Sequence, residues 1–212
     1  MPVILLARHA QGSFGAADYD VLSETGREQA GALADELARS GQRVDRVLSG
    51  SLARQRDTAL VVAERAGVEI ETDARWDEYA SDDLVARHAP DAPAPSNTRE
   101  FQAVLDVALS AWVTDGDPTW PAFRDAVAGA LEDLAGSLRS GECALVSTSG
   151  GPIAAAAVAL LGLPPAALVS FNRVLVNAGI TKLVSGPSGV TLVSFNEHGY
   201  LERPGGSLVT YR

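Results

Sequence analysis

The chain has 212 residues, 46% of them hydrophobic, and carries a formal net charge of −10. That length suits one domain with an insertion, and the apolar share is enough for a large core. The acidic balance argues against nucleic acid and anionic membrane surfaces as partners, and no apolar run reaches the length of a membrane span. Of the 17 basic residues only Lys182 is lysine, so any phosphate clamp must be arginine. The lone Cys143 allows no internal disulfide and, in Cys143-Ala144-Leu145-Val146, reads as a small core residue. The segment Met1–Ala7 has no basic leader and is too short for a signal peptide, so a mature cytoplasmic start is expected.

Residues 3–7 are expected to form a short buried strand, followed by a polar, glycine-containing loop from Gln11 to Leu22. Thr25-x-x-Glu28 has the spacing of a capping box, and Ala30, Leu33, Ala34 and Leu37 recur at helical spacing up to Gly41. A strand over Val44–Leu48, a helix over Leu52–Ala66 closed by Gly67, and a strand over Val68–Thr72 follow. Residues 80–98 differ: the proline-rich run His88–Asn97 predicts a surface loop or part of a lid. Helices are expected over Arg99–Val113 and Trp120–Leu138, where Trp112, Trp120 and Phe123 read as core. Then come a strand over Cys143–Ser147, an alanine-rich helix to about Leu161, and strands over Val174–Val184 and Val190–Phe195. This alternation predicts an α/β three-layer sandwich: a mostly parallel central sheet, helices on both faces, and a helical cap inserted over about residues 79–140 of a single domain, 1–212.

Four segments could carry chemistry. Arg8-His9 follows a buried strand, and ligand sites in open α/β sheets gather at the carboxyl ends of strands. Arg54 opens a helix after the second strand, where a guanidinium fork suits phosphate oxygens; Arg56 fits a solvated helix charge. Glu78 lies beside Trp76 and Tyr79, a setting in which a carboxyl can act as a general acid. Ser149-Gly150-Gly151-Pro152 ends an apolar strand and starts a helix, an arrangement that can hold an anion. Each segment alone also has a plain structural reading: a structural histidine, a surface acid, a tight turn.

Together these segments resemble the histidine phosphatases, the phosphoglycerate-mutase-like superfamily. The family's Arg-His-Gly is matched by Arg8-His9-Ala10. Its Leu-Thr-x-x-Gly-x-x-Gln-Ala is matched by Leu22–Ala30. Its Ser-Ser-Pro-Leu-x-Arg-Ala-x-Gln-Thr-Ala is matched by Ser49–Ala59, with Leu52, Arg54, Thr58 and Ala59 kept. Its Leu-x-Glu is matched by Trp76-Asp77-Glu78. The resemblance implies hydrolysis of a small phosphomonoester through a phosphohistidine at His9, with Glu78 as proton donor and acceptor. Arg8, Arg54, Ser149 and Gly150 would bind phosphate. It implies no cofactor and no metal, and no metal-ligand spacing is present.

The chain departs from the pattern at Ser149, where the family's Ser-His-Gly-Gly has its second histidine. Losing a charge-assisted contact there would cost about 1.5–3 kcal/mol, roughly 10- to 100-fold in rate. Ala10 for glycine and Asp57 for glutamine are smaller changes, the latter expected to put a negative charge near Arg54. His198 could reach the site from the end of its strand, although a surface histidine is the better reading; His88 falls in the proline-rich run. Two other functions stay open: a phosphate-binding or regulatory homologue with little or no turnover, and, less favoured, a phosphoglycerate mutase.

Overall fold

The computed structural model describes residues 1–13, 20–203 and 206–211. Part of the loop expected between Gln11 and Leu22 therefore lies outside the described residues. Strand β1 (Val3–Arg8) runs parallel to β4 (Cys143–Thr148), which pairs in parallel with β2 (Arg46–Ser49), and β2 with β3 (Ile70–Thr72). On the other side of β1, β5 (Ile180–Gly186) and β6 (Gly189–Glu197) continue the sheet antiparallel. The order is β3-β2-β4-β1-β5-β6, a mostly parallel sheet with an antiparallel edge.

Alternation along β1 splits the core into two layers. Ile4 and Leu6 are fully buried against one set of helices, Leu5 and Ala7 against another. The Leu5 layer takes α1 (Glu24–Arg39) and α2 (Ala53–Ala66) through Leu33, Leu37, Ala59 and Val62. The Ile4 layer takes α4 (Thr98–Thr114), α5 (Thr119–Ser137), α6 (Gly150–Leu160) and α7 (Ala167–Val174). The short α3 (Ser81–His88) joins it through Leu84. Trp112 and Trp120 are buried and pack with Tyr79 and Phe123 as tilted and edge-on ring pairs, so they are core as expected. Fully burying one such aliphatic side chain contributes about 1.5–3 kcal/mol.

Three expectations are corrected. The cap of α1 is Ser23, whose hydroxyl accepts from Gly26 N; Thr25 lies inside the first turn. Residues 81–88 form a helix ending at His88, and the proline-rich stretch is irregular only from residue 89 to residue 97. The strand expected from Val174 begins at Ile180. Residues 167–174 are helical, and the chain turns at Asn177-Ala178-Gly179, where Ala178 has φ 61°.

Candidate active site

The four parallel strands end at one edge of the sheet, and each delivers one segment there: His9 after β1, Gly50–Leu52 after β2, Trp76–Glu78 after β3 and Ser149 after β4. The ladders set their level. Arg8 is opposite Thr148 and Ser49 opposite Ser147, so His9 and Ser149 are neighbours across adjacent strands, roughly 5 Å apart in backbone.

His9 is 5% exposed. Its Nδ1 is 2.8 Å from the carbonyl oxygen of Ala10, and its Nε2 is 3.1 Å from Nε of Arg54. A carbonyl only accepts and a guanidinium only donates, so the proton belongs on Nδ1 and the lone pair on Nε2. The backbone around the ring is tied down as well. His9 N donates to Thr148 O, Ala10 N to the Thr58 hydroxyl, and Asn177 Nδ2 to His9 O. These bonds give Thr58, a kept motif residue, a physical reason, and Asn177 a role that sequence reading missed.

Arg54 meets an acid absent from the sequence expectations. Asp20 Oδ1 is 2.6 Å from its Nη1, and Asp20 Oδ2 accepts from Ala53 N at 2.6 Å. Asp20 thus caps the start of α2 and fixes the guanidinium whose Nε faces His9. Asp20 supplies a carboxylate bonded to Arg54. No pattern in the sequence distinguishes Asp20 from other loop acids.

Arg8, 7% exposed, turns Nη1 onto the carbonyl oxygens of Leu175 and Tyr211, the latter at 2.7 Å. Gln29, another motif residue, holds the same segment: its Nε2 donates to Leu208 O and Thr210 Oγ1, and its Oε1 accepts from Gln11 N. Gly26 packs so closely that a Cβ there would lie 2.1 Å from Gln11 O.

Glu78 reaches the start of α6. Gly151 N donates to its Oε1 at 3.0 Å and its Oε2 at 3.3 Å. A Cβ on Gly151 would fall 2.2 Å from Glu78 Oε1 and 2.6 Å from the Tyr79 ring, and one on Gly150 2.4 Å from Asn172 Oδ1. The paired glycines therefore make room for the acid and for Asn172, which also bonds Tyr79 OH. Ser149 is fully buried, and its hydroxyl accepts from Gln55 Nε2 at 2.8 Å.

The other two histidines have other partners. His88 Nε2 bonds Asp117 Oδ2 at 2.8 Å, where α3 meets the turn before α5. His198 sits past the edge strand β6, two strands from β1, with Nδ1 on Asn196 O and Nε2 3.8 Å from Glu202. Arg56 is exposed, as expected of a solvated charge. A hollow of about 480 Å³ lies between α5, α6 and the β5–β6 edge, lined by Val127, Leu131, Ala155 and Val190. None of the four strand-end segments lines it, so chemistry rather than volume marks the site.

Search of curated proteins finds no match. Among solved structures, a phosphoserine phosphatase from Entamoeba histolytica, in complex with 3-phosphoglyceric acid, superposes with TM-score 0.67 at 23% identity, covering 95% of this chain and 100% of its own. A mycobacterial glucosyl-3-phosphoglycerate phosphatase does so with TM-score 0.63 at 23% identity, covering 92% and 98%. A phosphoglycerate mutase from Bacillus anthracis gives 0.63 at 20% identity, covering 93% and 94%. These likenesses establish the fold. The sequence pattern of the histidine phosphatase superfamily (branch 1) matches residues 4–198, a span that takes in all four strand ends and the helices α3, α4 and α5 between β3 and β4. On that ground the chain belongs to the histidine phosphatase superfamily.

Proposed function

We propose that this protein is a phosphatase that hydrolyses a small phosphomonoester through a phosphohistidine on His9. The observation that carries the reading is the state of the His9 ring: Nδ1–H on Ala10 O, and the Nε2 lone pair turned to Arg54. An incoming phosphoryl group would take over the Arg54 Nε–H and release that lone pair for attack.

In the first step the Nε2 lone pair forms an N–P bond as the P–O bond to the alcohol breaks, and the leaving oxygen takes the proton of Glu78. In the second, water attacks phosphorus while Glu78 takes its proton; the N–P bond breaks, and inorganic phosphate and neutral His9 result. Arg54, with Arg8, the Ser149 hydroxyl and the Gly150 N–H at the start of α6, would hold the phosphoryl oxygens as their charge redistributes. Asp20 keeps the Arg54 fork in place. A phosphoserine phosphatase and a glucosyl-3-phosphoglycerate phosphatase share the fold, which supports a small phosphorylated substrate.

The test is turnover of p-nitrophenyl phosphate by wild type and His9→Ala, with acid-quenched trapping of an acid-labile phosphoenzyme. Turnover and labelling in wild type alone support the reading. Phosphate binding without turnover or labelling in wild type would replace it with a phosphate-binding homologue.

A further inference from the structure

Three departures from the family motif meet at one point. Gly50 stands where the motif has serine, Gln55 where it has alanine, and Ser149 where it has histidine. Gln55 is fully buried, and its carboxamide is fully engaged. Its Oε1 accepts from Leu52 N at 3.3 Å, and its Nε2 donates to Trp76 O at 3.1 Å and Ser149 Oγ at 2.8 Å. The reverse amide orientation would face donor to donor and acceptor to acceptor, so the network fixes it. A Cβ on Gly50 would lie 2.0 Å from Gln55 Oε1, so the carboxamide occupies space that a serine at residue 50 would need.

We infer that Gln55 is a positioning residue of the phosphoryl pocket: it fills the place of the absent second imidazole and aims the Ser149 hydroxyl at the phosphoryl group. The proposal rests on the phosphatase reading of the site. Because Gln55 donates to Ser149 Oγ, the serine's own proton points elsewhere, and Ser149 is level with His9 on the adjacent strand. The Trp76 carbonyl that takes the other Gln55 proton also accepts from the Thr148 hydroxyl, two residues before Glu78 in the chain. One carboxamide therefore holds both the neutral donor and the segment that bears the acid. Gly50, Gln55 and Ser149 act as a coupled set, and a histidine restored at residue 149 alone would compete with Gln55 for one space.

The experiment compares wild type, Gln55→Ala, Ser149→His and the double variant Gln55→Ala/Ser149→His. The readouts are the affinities for vanadate, which mimics the transferring phosphoryl group, and for inorganic phosphate, with kcat and KM beside them. Gln55→Ala is expected to weaken vanadate binding about tenfold and to change phosphate binding by less than about threefold, with kcat falling and KM nearly unchanged. Ser149→His is expected to weaken vanadate binding more than about tenfold, and the added Gln55→Ala to restore most of that loss. Multiplying losses in the double variant, or equal losses for vanadate and phosphate, would overturn the proposal. Should Ser149→His fail to fold, Gln55→Glu keeps the shape and removes the Nε2 donor. It is expected to lose vanadate affinity about tenfold, and an unchanged affinity would sink the idea. Wild type that binds vanadate with this coupling but turns nothing over would refute the phosphatase reading and leave the coupling standing.

Discussion

The Nε–H of Arg54 points at the Nε2 lone pair of His9 across 3.1 Å, and the same guanidinium is anchored by Asp20 at 2.6 Å. One guanidinium thus links His9, the proposed nucleophile, to Asp20. A lysine cannot reproduce a fork that meets a ring nitrogen and a carboxylate together. Arg54→Lys is expected to lower kcat about 10- to 100-fold with p-nitrophenyl phosphate, a loss measurable by steady-state kinetics. A kcat within about twofold of wild type would show that Arg54 does not hold the transferring group.

Asp20 couples that clamp to the start of α2, accepting from Ala53 N as well as from Arg54. Asp20→Ala is expected to lower stability by about 0.5–2 kcal/mol through loss of the cap, and to raise KM because Arg54 loses its anchor. Denaturant melts beside kinetics check both. A stability loss with unaltered KM would leave Asp20 a cap alone.

Glu78 and the two glycines before Pro152 share one space. A methyl at residue 151 would strike Glu78 Oε1 at 2.2 Å, whereas one at Gly136 in α5 meets nothing within 4 Å. Gly151→Ala is expected to lower turnover of an alkyl phosphate about 100-fold by displacing the acid, with Gly136→Ala close to wild type. Glu78→Gln should penalise alkyl phosphates more than p-nitrophenyl phosphate, whose leaving group needs little protonation. Equal losses on both esters would remove the acid role.

Asp117 anchors the junction of α3 and α5. Hydrogen bonds from the Thr119 hydroxyl and N–H, then His88 and the nearby Arg87 charge, hold its carboxyl down to about 2, against an ordinary 3.8. A depressed carboxyl stabilises the fold above its ordinary value, and that contribution is lost as pH falls from 3.8 toward 2. Asp117→Asn should therefore lower Tm at pH 7 and narrow its drop between about pH 5 and 2. A variant whose Tm tracks wild type throughout would contradict this.

Cys143 is buried at the start of the inner strand β4, and burial, aided by the Asp45 charge, pushes its thiol up to about 12. Since the thiolate is the reactive form, the native protein is expected to resist a disulfide reagent at pH 8 and to react fully in denaturant. Fast native labelling would mean that β4 opens readily.

The strand ends were legible because their signals are local: apolar runs stopping at Arg8, Ser49 and Thr148, each followed by polar or glycine-containing residues. The helix α7 was not, since Val169, Phe171 and Val174 are residues of high strand propensity that sit in a helix packed on α6 and α4. Thr25-x-x-Glu28 misled because Ser23 offers the same cap chemistry two residues earlier. Asp20 and Gln55 are legible only in three dimensions, where Asp20 meets a residue 34 positions away and Gln55 one 94 positions away.

Arg8 binds the carbonyl of Tyr211 across 203 positions of sequence, and Gln29 and Asn177 bind the residues just before it. During synthesis Arg8 leaves the ribosome about two hundred residues before the stretch that holds it. Arg8, the neighbour of His9, thus gains its full set of bonds only after translation of that stretch, so a nascent chain can carry a folded sheet before the surroundings of His9 are complete.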